Sequence, residues 1–176
     1  VGGLIELKGH QLIIQAFKKI LKKGHDAELW IVGKGHYKQT LIYLTNKLNL
    51  INNVKFIGAK GHNELTQLYN SADIFVLANF QEITPAVNEA LACEKPVVVM
   101  ECGGRKFVIP DESYGLVAKK YNTDDLANKI ITLINNKTLA KSIAKKGRKR
   151  VIDNFSIKIV AEKIYKPITS FYEFEP

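Results

Sequence analysis

Short apolar runs alternate with segments of helical period along most of this 176-residue chain. Glu28 to Val32 stops at Gly33, and Val54 to Ile57 stops at Gly58. Ile74 to Leu77, Pro96 to Met100 and Gly115 to Ala118 follow at similar intervals. Strands separated by helices at this spacing form βαβ units, and βαβ units make a parallel sheet. Right-handed crossovers then place helices on both faces of it. The expected fold is α/β, a doubly wound parallel sheet of about six strands, counting a truncated first strand at Val1.

The helices are legible from their apolar spacing. Leu12, Ile13, Ala16, Phe17, Ile20 and Leu21 share one face, and Gly24 ends that segment. Leu41, Leu44 and Leu48 mark a second helix, and Glu64 to Tyr69 a short third. A fourth runs through Ala92. Thr123 is the expected N-cap of the next helix, with Asp124 and Asp125 in its first turn, where acids favour the helix dipole. A basic helix is expected over Lys137 to Val151. The last starts near Ser156 and is expected to bend or stop at Pro167.

With 46% hydrophobic residues, the chain can bury one domain-sized core. No apolar run approaches the roughly 20 residues that span a bilayer. Val1-Gly2-Gly3-Leu4 reads as the end of a strand entering a loop, so the chain is expected to be a fragment cut near a domain boundary. Cys93 and Cys102 form no disulfide framework or metal spacing, which suits reduced thiols in a cytosolic protein. His10, His25, His36 and His62 are scattered, and no metal site is expected. Lysine and arginine number 26 against 17 acids, a net charge of +9, so the expected partner is anionic. A nucleic-acid module would want a basic stripe interleaved with exposed aromatics. Here Phe17, Trp30, Phe56 and Phe75 fall at core-like positions, so no nucleic-acid partner is expected.

The groups that could carry chemistry sit on loops after strands. Glu82 and Glu89 bracket a loop containing Pro85, between a strand end and a helix N-terminus. Ligands of open α/β sheets bind in that crevice. Gly33-Lys34-Gly35 leaves a strand and opens a helix, a place for backbone N–H groups to meet phosphate. Lys8-Gly9 lies in the first loop, and Gly103-Gly104-Arg105-Lys106 follows the fifth run. Cations for phosphate and acids for hydroxyls would converge on one edge of the sheet. Sugar nucleotides offer both.

The ordered set of segments resembles the C-terminal domain of retaining GT-B glycosyltransferases of the glycosyl transferases group 1 family. The matching segments are V-G-G-L-I-E-L-K-G-H at 1–10, L-W-I-V-G-K-G at 29–35, V-K-F-I-G at 54–58 and L-Y-N-S-A-D-I-F-V-L at 68–77. They continue with E-I-T-P-A-V-N-E-A-L-A-C-E-K-P-V-V at 82–98, G-G at 103–104, Y-G-L-V-A at 114–118 and D-D-L-A-N-K-I at 124–130. The resemblance implies a Rossmann-like domain over residues 1–155 that binds a UDP-sugar or GDP-sugar donor. It implies retaining transfer without a metal or other cofactor. Lys8 would bind the donor diphosphate and Glu82 the donor sugar hydroxyls, the pair expected to carry catalysis. Amides of Thr84, Pro85, Ala86 and Val87, at the helix start, would surround phosphate oxygens (proline itself lacks the donor). Glu89 would bind ribose. Gly33, Lys34, Gly35, Ile57 and Gly58 would lie near the base. Residues 156–176 would form a helix packing toward an absent N-terminal acceptor domain, which would bring a glycan or lipid-linked acceptor. A cytoplasmic location is implied, peripheral at the inner membrane face if the basic helix meets anionic lipid.

The chain departs from the family pattern at four places. Gly3 stands where an arginine usually joins Lys8 on the diphosphate. Six residues, Ile83 to Asn88, separate the two glutamates, one fewer than usual. Glu94 replaces a glycine, and Phe107 replaces a glutamate. The first two departures also admit a degenerate, non-catalytic relative of these enzymes.

Overall fold

A computed structural model describes residues 1–79 and 81–172. Its five strands are β1 (Leu29–Val32), β2 (Val54–Gly58), β3 (Phe75–Leu77), β4 (Val97–Met100) and β5 (Leu116–Ala118). Helix α1 (His10–Lys22) precedes them, and α2 (Lys38–Lys47), α3 (His62–Ser71), α4 (Pro85–Ala92) and α5 (Arg105–Val108) fall between successive strands. Three more close the chain: α6 (Thr123–Asn135), α7 (Lys137–Phe155) and α8 (Ile157–Tyr172). All strand pairs are parallel, as the alternation predicts.

The strands number five rather than six, and they form two ladders, β1-β2 and β3-β4-β5. Residues 1–5 make no strand. They reach only the exit of β1, where Gly2 N–H donates to Val32 O at 3.0 Å and Leu4 N–H to Lys34 O at 2.9 Å. One core cluster spans both ladders through α1 and α6, with Ile14, Leu41, Met100 and Leu126 fully buried. The second lies on the other face, between α4, α7 and the three-stranded ladder, around Val87, Leu91, Val97 and Val99. The strand β4 contributes to both and is buried at every position, the pattern of a central parallel strand.

Local expectations fail at several points. The N-cap of α6 is Asn122, whose Oδ1 accepts from Asp125 N–H at 2.9 Å, and Thr123 is the first helical residue. The helix α8 continues through Pro167 to Tyr172, so of the bend or stop expected there the stop does not occur. Gly104 adopts φ +70° as the N-cap of α5. Trp30 is 37% exposed, so its position is not core-like. The basic run of α7 is not a uniform solvated face. Arg150 donates to Val108 O at 2.9 Å and Phe107 O at 2.7 Å and lies 5.3 Å from the Tyr114 ring centroid. Arg148 donates to Ala92 O at the end of α4. The arginines clamp neighbouring elements, and the lysines face water.

Candidate functional site

The loop after β3 is held by backbone pairing. Gly103 N–H donates to Gln81 O at 2.9 Å, and Ile83 N–H donates to Gly103 O at 3.1 Å. A Cβ on Gly103 would sit 2.8 Å from Gln81 O, so the close approach needs glycine. Arg105 is committed to this framework and not to an anion. It donates to both Glu101 carboxylate oxygens, at 3.2 and 2.9 Å, and to Ile109 O at 2.8 Å.

Thr84 is extended and precedes α4, with Pro85 at the first helical position, where its fixed φ suits the turn. The Thr84 side chain caps nothing. Its Oγ1 is buried with no hydrogen-bond partner among the described residues. Glu89 follows one turn later, and its Oε2 accepts from the Tyr69 hydroxyl of α3 at 2.8 Å. Burial, then that bond to Glu89, pushes the Tyr69 phenol far above its usual range. Tyr69 is therefore a permanent neutral donor. It fixes one carboxylate oxygen and leaves the other for a ligand.

Lys8 ends a single 3-10 turn, Glu6–Lys8. Gly9 follows at φ +68°, and a Cβ there would collide with Ala78 O. That backbone contact pins the Lys8 loop to the exit of β3. His10, the first residue of α1, is buried, and its Nδ1 has no partner among the described residues. Burial first, then the Val1 ammonium and Lys8, lowers its pKa to about 4, so the ring is neutral at pH 7.

These side chains meet at one end of a cavity of about 700 Å³. Of the residues expected from the sequence, Gly3, Lys8, Glu82, Thr84, Pro85, Ala86 and Glu89 line it. Val87 is fully buried in the core, and its N–H donates to Thr84 O at 3.0 Å. Gly33, Lys34, Gly35, Ile57 and Gly58 do not line it. The first and third have a packing role: a Cβ on Gly33 would strike Gly2 O, and one on Gly35 would strike Leu4 O. Glu82 and Glu89 both line the cavity across this six-residue spacing. His10 and Tyr69 were missed at the sequence level, although both lie inside family-like segments (1–10 and 68–77). Among the described residues no three His, Cys, Asp or Glu side chains gather in a group that could hold a metal ion.

A cation, two carboxylates, a helix start and two orphaned polar atoms at one sheet edge can bind an anion and hydroxyls together. Comparison with known proteins agrees. The chain is 30% identical over 172 residues to the capsular polysaccharide biosynthesis glycosyltransferase CapM of Staphylococcus aureus, covering 97% of this chain and 45% of that protein. Its structure superposes on sucrose-phosphate synthase of Thermosynechococcus elongatus with a TM-score of 0.90 and 27% identity, covering 99% of this chain and 45% of that one. A Staphylococcus aureus TarM variant, in a complex that includes UDP, superposes at 0.84 with 25% identity, over 92% of this chain and 33% of that one. The chain thus spans about half the length of the curated relatives it matches. The profile of "Glycosyl transferases group 1" matches residues 1–150, and the chain belongs to that family.

Proposed function

We propose that this chain is the donor-binding half of a retaining glycosyltransferase, which takes a sugar from a UDP-sugar or GDP-sugar without a resident metal. The observation that carries this reading is the convergence of Lys8, Glu82, Glu89 and the start of α4 on one cavity mouth. Departure of the sugar builds negative charge on the nucleoside diphosphate. The Lys8 ammonium and the first amides of α4 meet that charge where it develops, which lowers the barrier. Glu82 accepts from sugar hydroxyls, and Glu89, steadied by Tyr69, accepts from ribose. His10 Nδ1 and Thr84 Oγ1 are further polar groups a ligand can satisfy. The acceptor, a glycan or lipid-linked sugar, binds on a second domain that faces this mouth. The enzyme works in the cytoplasm, and the exposed lysines of α7 let it rest on an anionic membrane face.

Isothermal calorimetry with UDP, GDP and ADP tests donor binding. One of the three binds saturably, Lys8→Ala and Glu89→Gln each weaken it at least about tenfold, and the other two nucleotides bind more weakly. If none binds at millimolar concentration, the site is degenerate and the proposal fails.

A further inference from the structure

The loop that carries Glu82 adjoins an aromatic side chain that the core does not use. Phe107, in α5, is 76% exposed, while the next two residues, Val108 and Ile109, are buried. Phe107 is held outward by its backbone. Its N–H donates to Gly104 O at 3.0 Å, and its C=O accepts from Arg150 Nη2 at 2.7 Å. Arg105 ties the start of the same helix to Glu101 and its end to Ile109 O. A ring fixed in water on so short and braced a helix contributes nothing to folding through burial.

The ring belongs to a patch that includes Glu82. A Cβ placed on Gly104 would lie 3.8 Å from Ile83 Cγ2 and 4.0 Å from Phe107 Cδ2, so these two side chains flank the bare backbone of Gly104. Ile83 N–H donates to Gly103 O, and Glu82 pairs with Gly103 in an isolated parallel bridge. Backbone bonds therefore lock Glu82, Ile83 and the glycine pair together, and α5 brings Phe107 to the same place. No hydrogen bond or ion pair occupies the Glu82 carboxylate among the described residues. A free carboxylate beside a flat apolar surface matches what a pyranose presents: hydroxyls around its edge and C–H bonds on its face. A diphosphate has no such face. Glu89 and the start of α4 follow Glu82 in the chain, whereas Phe107 reaches the loop from α5.

We propose that Phe107, with Ile83 beside it, is the surface on which the hexose of the donor rests its C–H face, and that it selects nucleotide-linked pyranoses over the bare nucleotide. The proposal rests on the donor-binding reading above. Glu82 holds the hexose by its hydroxyls, and the ring sets the tilt of the sugar. The contact removes apolar surface from water on both partners and places C–H bonds against the negative face of the ring. Gly104 keeps the patch open, since a side chain there would stand between Ile83 and Phe107.

Calorimetry on matched pairs tests this: UDP-glucose and UDP-N-acetylglucosamine against UDP, GDP-mannose against GDP, and ADP-glucose against ADP. For the nucleotide that binds, Phe107→Ala weakens the sugar-bearing form relative to the bare one by about fivefold or more and leaves the bare one unchanged. Phe107→Tyr keeps the parent ratio and Phe107→Leu does not, because stacking needs a ring. The ring is exposed, so all three variants should melt at the parent temperature. In protein carrying labelled phenylalanine, the Phe107 ring resonances move with the sugar nucleotide and stay in place with the bare nucleotide. A ratio that Phe107→Ala leaves unchanged overturns the inference and leaves the donor-binding reading standing. So does an equal loss of affinity for both members of a pair, which would make Phe107 a support of the loop. If UDP, GDP and ADP all fail to bind at millimolar concentration, the donor-binding reading falls and this inference falls with it.

Discussion

Gly3 lines the polar mouth, at the position where the resemblance implies an arginine, and space around it is open. A Cβ built on it meets nothing within 4 Å, and its φ lies outside the left-handed range. Gly3→Arg therefore introduces a guanidinium without a clash at its Cβ. A charge-assisted hydrogen bond contributes ~1.5–3 kcal/mol. Calorimetry should show nucleotide affinity rising about tenfold or more, and an unchanged affinity would place the arginine out of reach of the phosphates. His10 makes a second residue-scale prediction. Its folded pKa of about 4 lies below the usual 6.5, so the unfolded state binds the proton more readily. That stability contribution is complete above about pH 6.5 and is lost as the pH falls toward 4. The gap of about 2.5 units corresponds to about 3 kcal/mol. Urea titrations at pH 7 and pH 4 should show a smaller drop for His10→Gln than for the parent chain by roughly that amount. Lys8, Glu82 and Glu89 stand out in the sequence because charge at the end of a parallel strand needs a reason, and the structure brings all three to one cavity. Tyr69 was not, because a tyrosine on the apolar face of a helix reads as core until its hydroxyl is seen on Glu89.

Helix boundaries show where local sequence chemistry decides the structure and where packing does. The end of α4 was legible. Glu94 stands at the position where the family uses glycine, and its φ is indeed +55°. Glu94 N–H donates to Leu91 O at 2.9 Å and Lys95 N–H to Ala90 O at 3.0 Å, the paired bonds of a Schellman turn. Glutamate in a left-handed conformation costs ~1–2 kcal/mol, while its ion pair with Arg148, at 3.8 Å and exposed, contributes little. Glu94→Gly should raise the free energy of unfolding by about 1 kcal/mol net of the chain entropy that glycine adds, and the denaturation midpoint with it. A lower midpoint would mean that the Arg148 contact outweighs the strain. The α7 arginines were not legible. In a run of lysines and arginines nothing local marks Arg148 and Arg150, whose partners are carbonyls on α4 and beside α5, far away in sequence. Gly33 and Gly35 misled in the same way. A glycine pair after a strand suggests a phosphate cradle, but their constraint comes from the backbone of residues 2–4.

At the scale of the molecule, the alternation of apolar runs and helices gave the class, the parallel direction and every strand except the one expected at Val1. That failure has a physical reason. A central parallel strand is stabilised by ladders on both sides, whereas the backbone bonds of residues 1–5 outside their own turn go to residues 32, 34 and 37 alone. The two-ladder arrangement also has a mechanical consequence. On the face covered by α4 and α7, the β1-β2 ladder contributes no buried residue to the core, so its packing against the remainder runs through the cluster around α1. Such a molecule has a seam, and thermal fluctuations open proteins along seams, in contiguous units of unequal stability. The β1-β2-α2 lobe is the unit that loosens first. Glu82, Thr84 and Glu89 all ride on the other lobe, so the carboxylates keep their arrangement while the lobe beyond the seam swings. Lys8 stays with them, since the close contact of Gly9 with Ala78 pins its loop to the exit of β3.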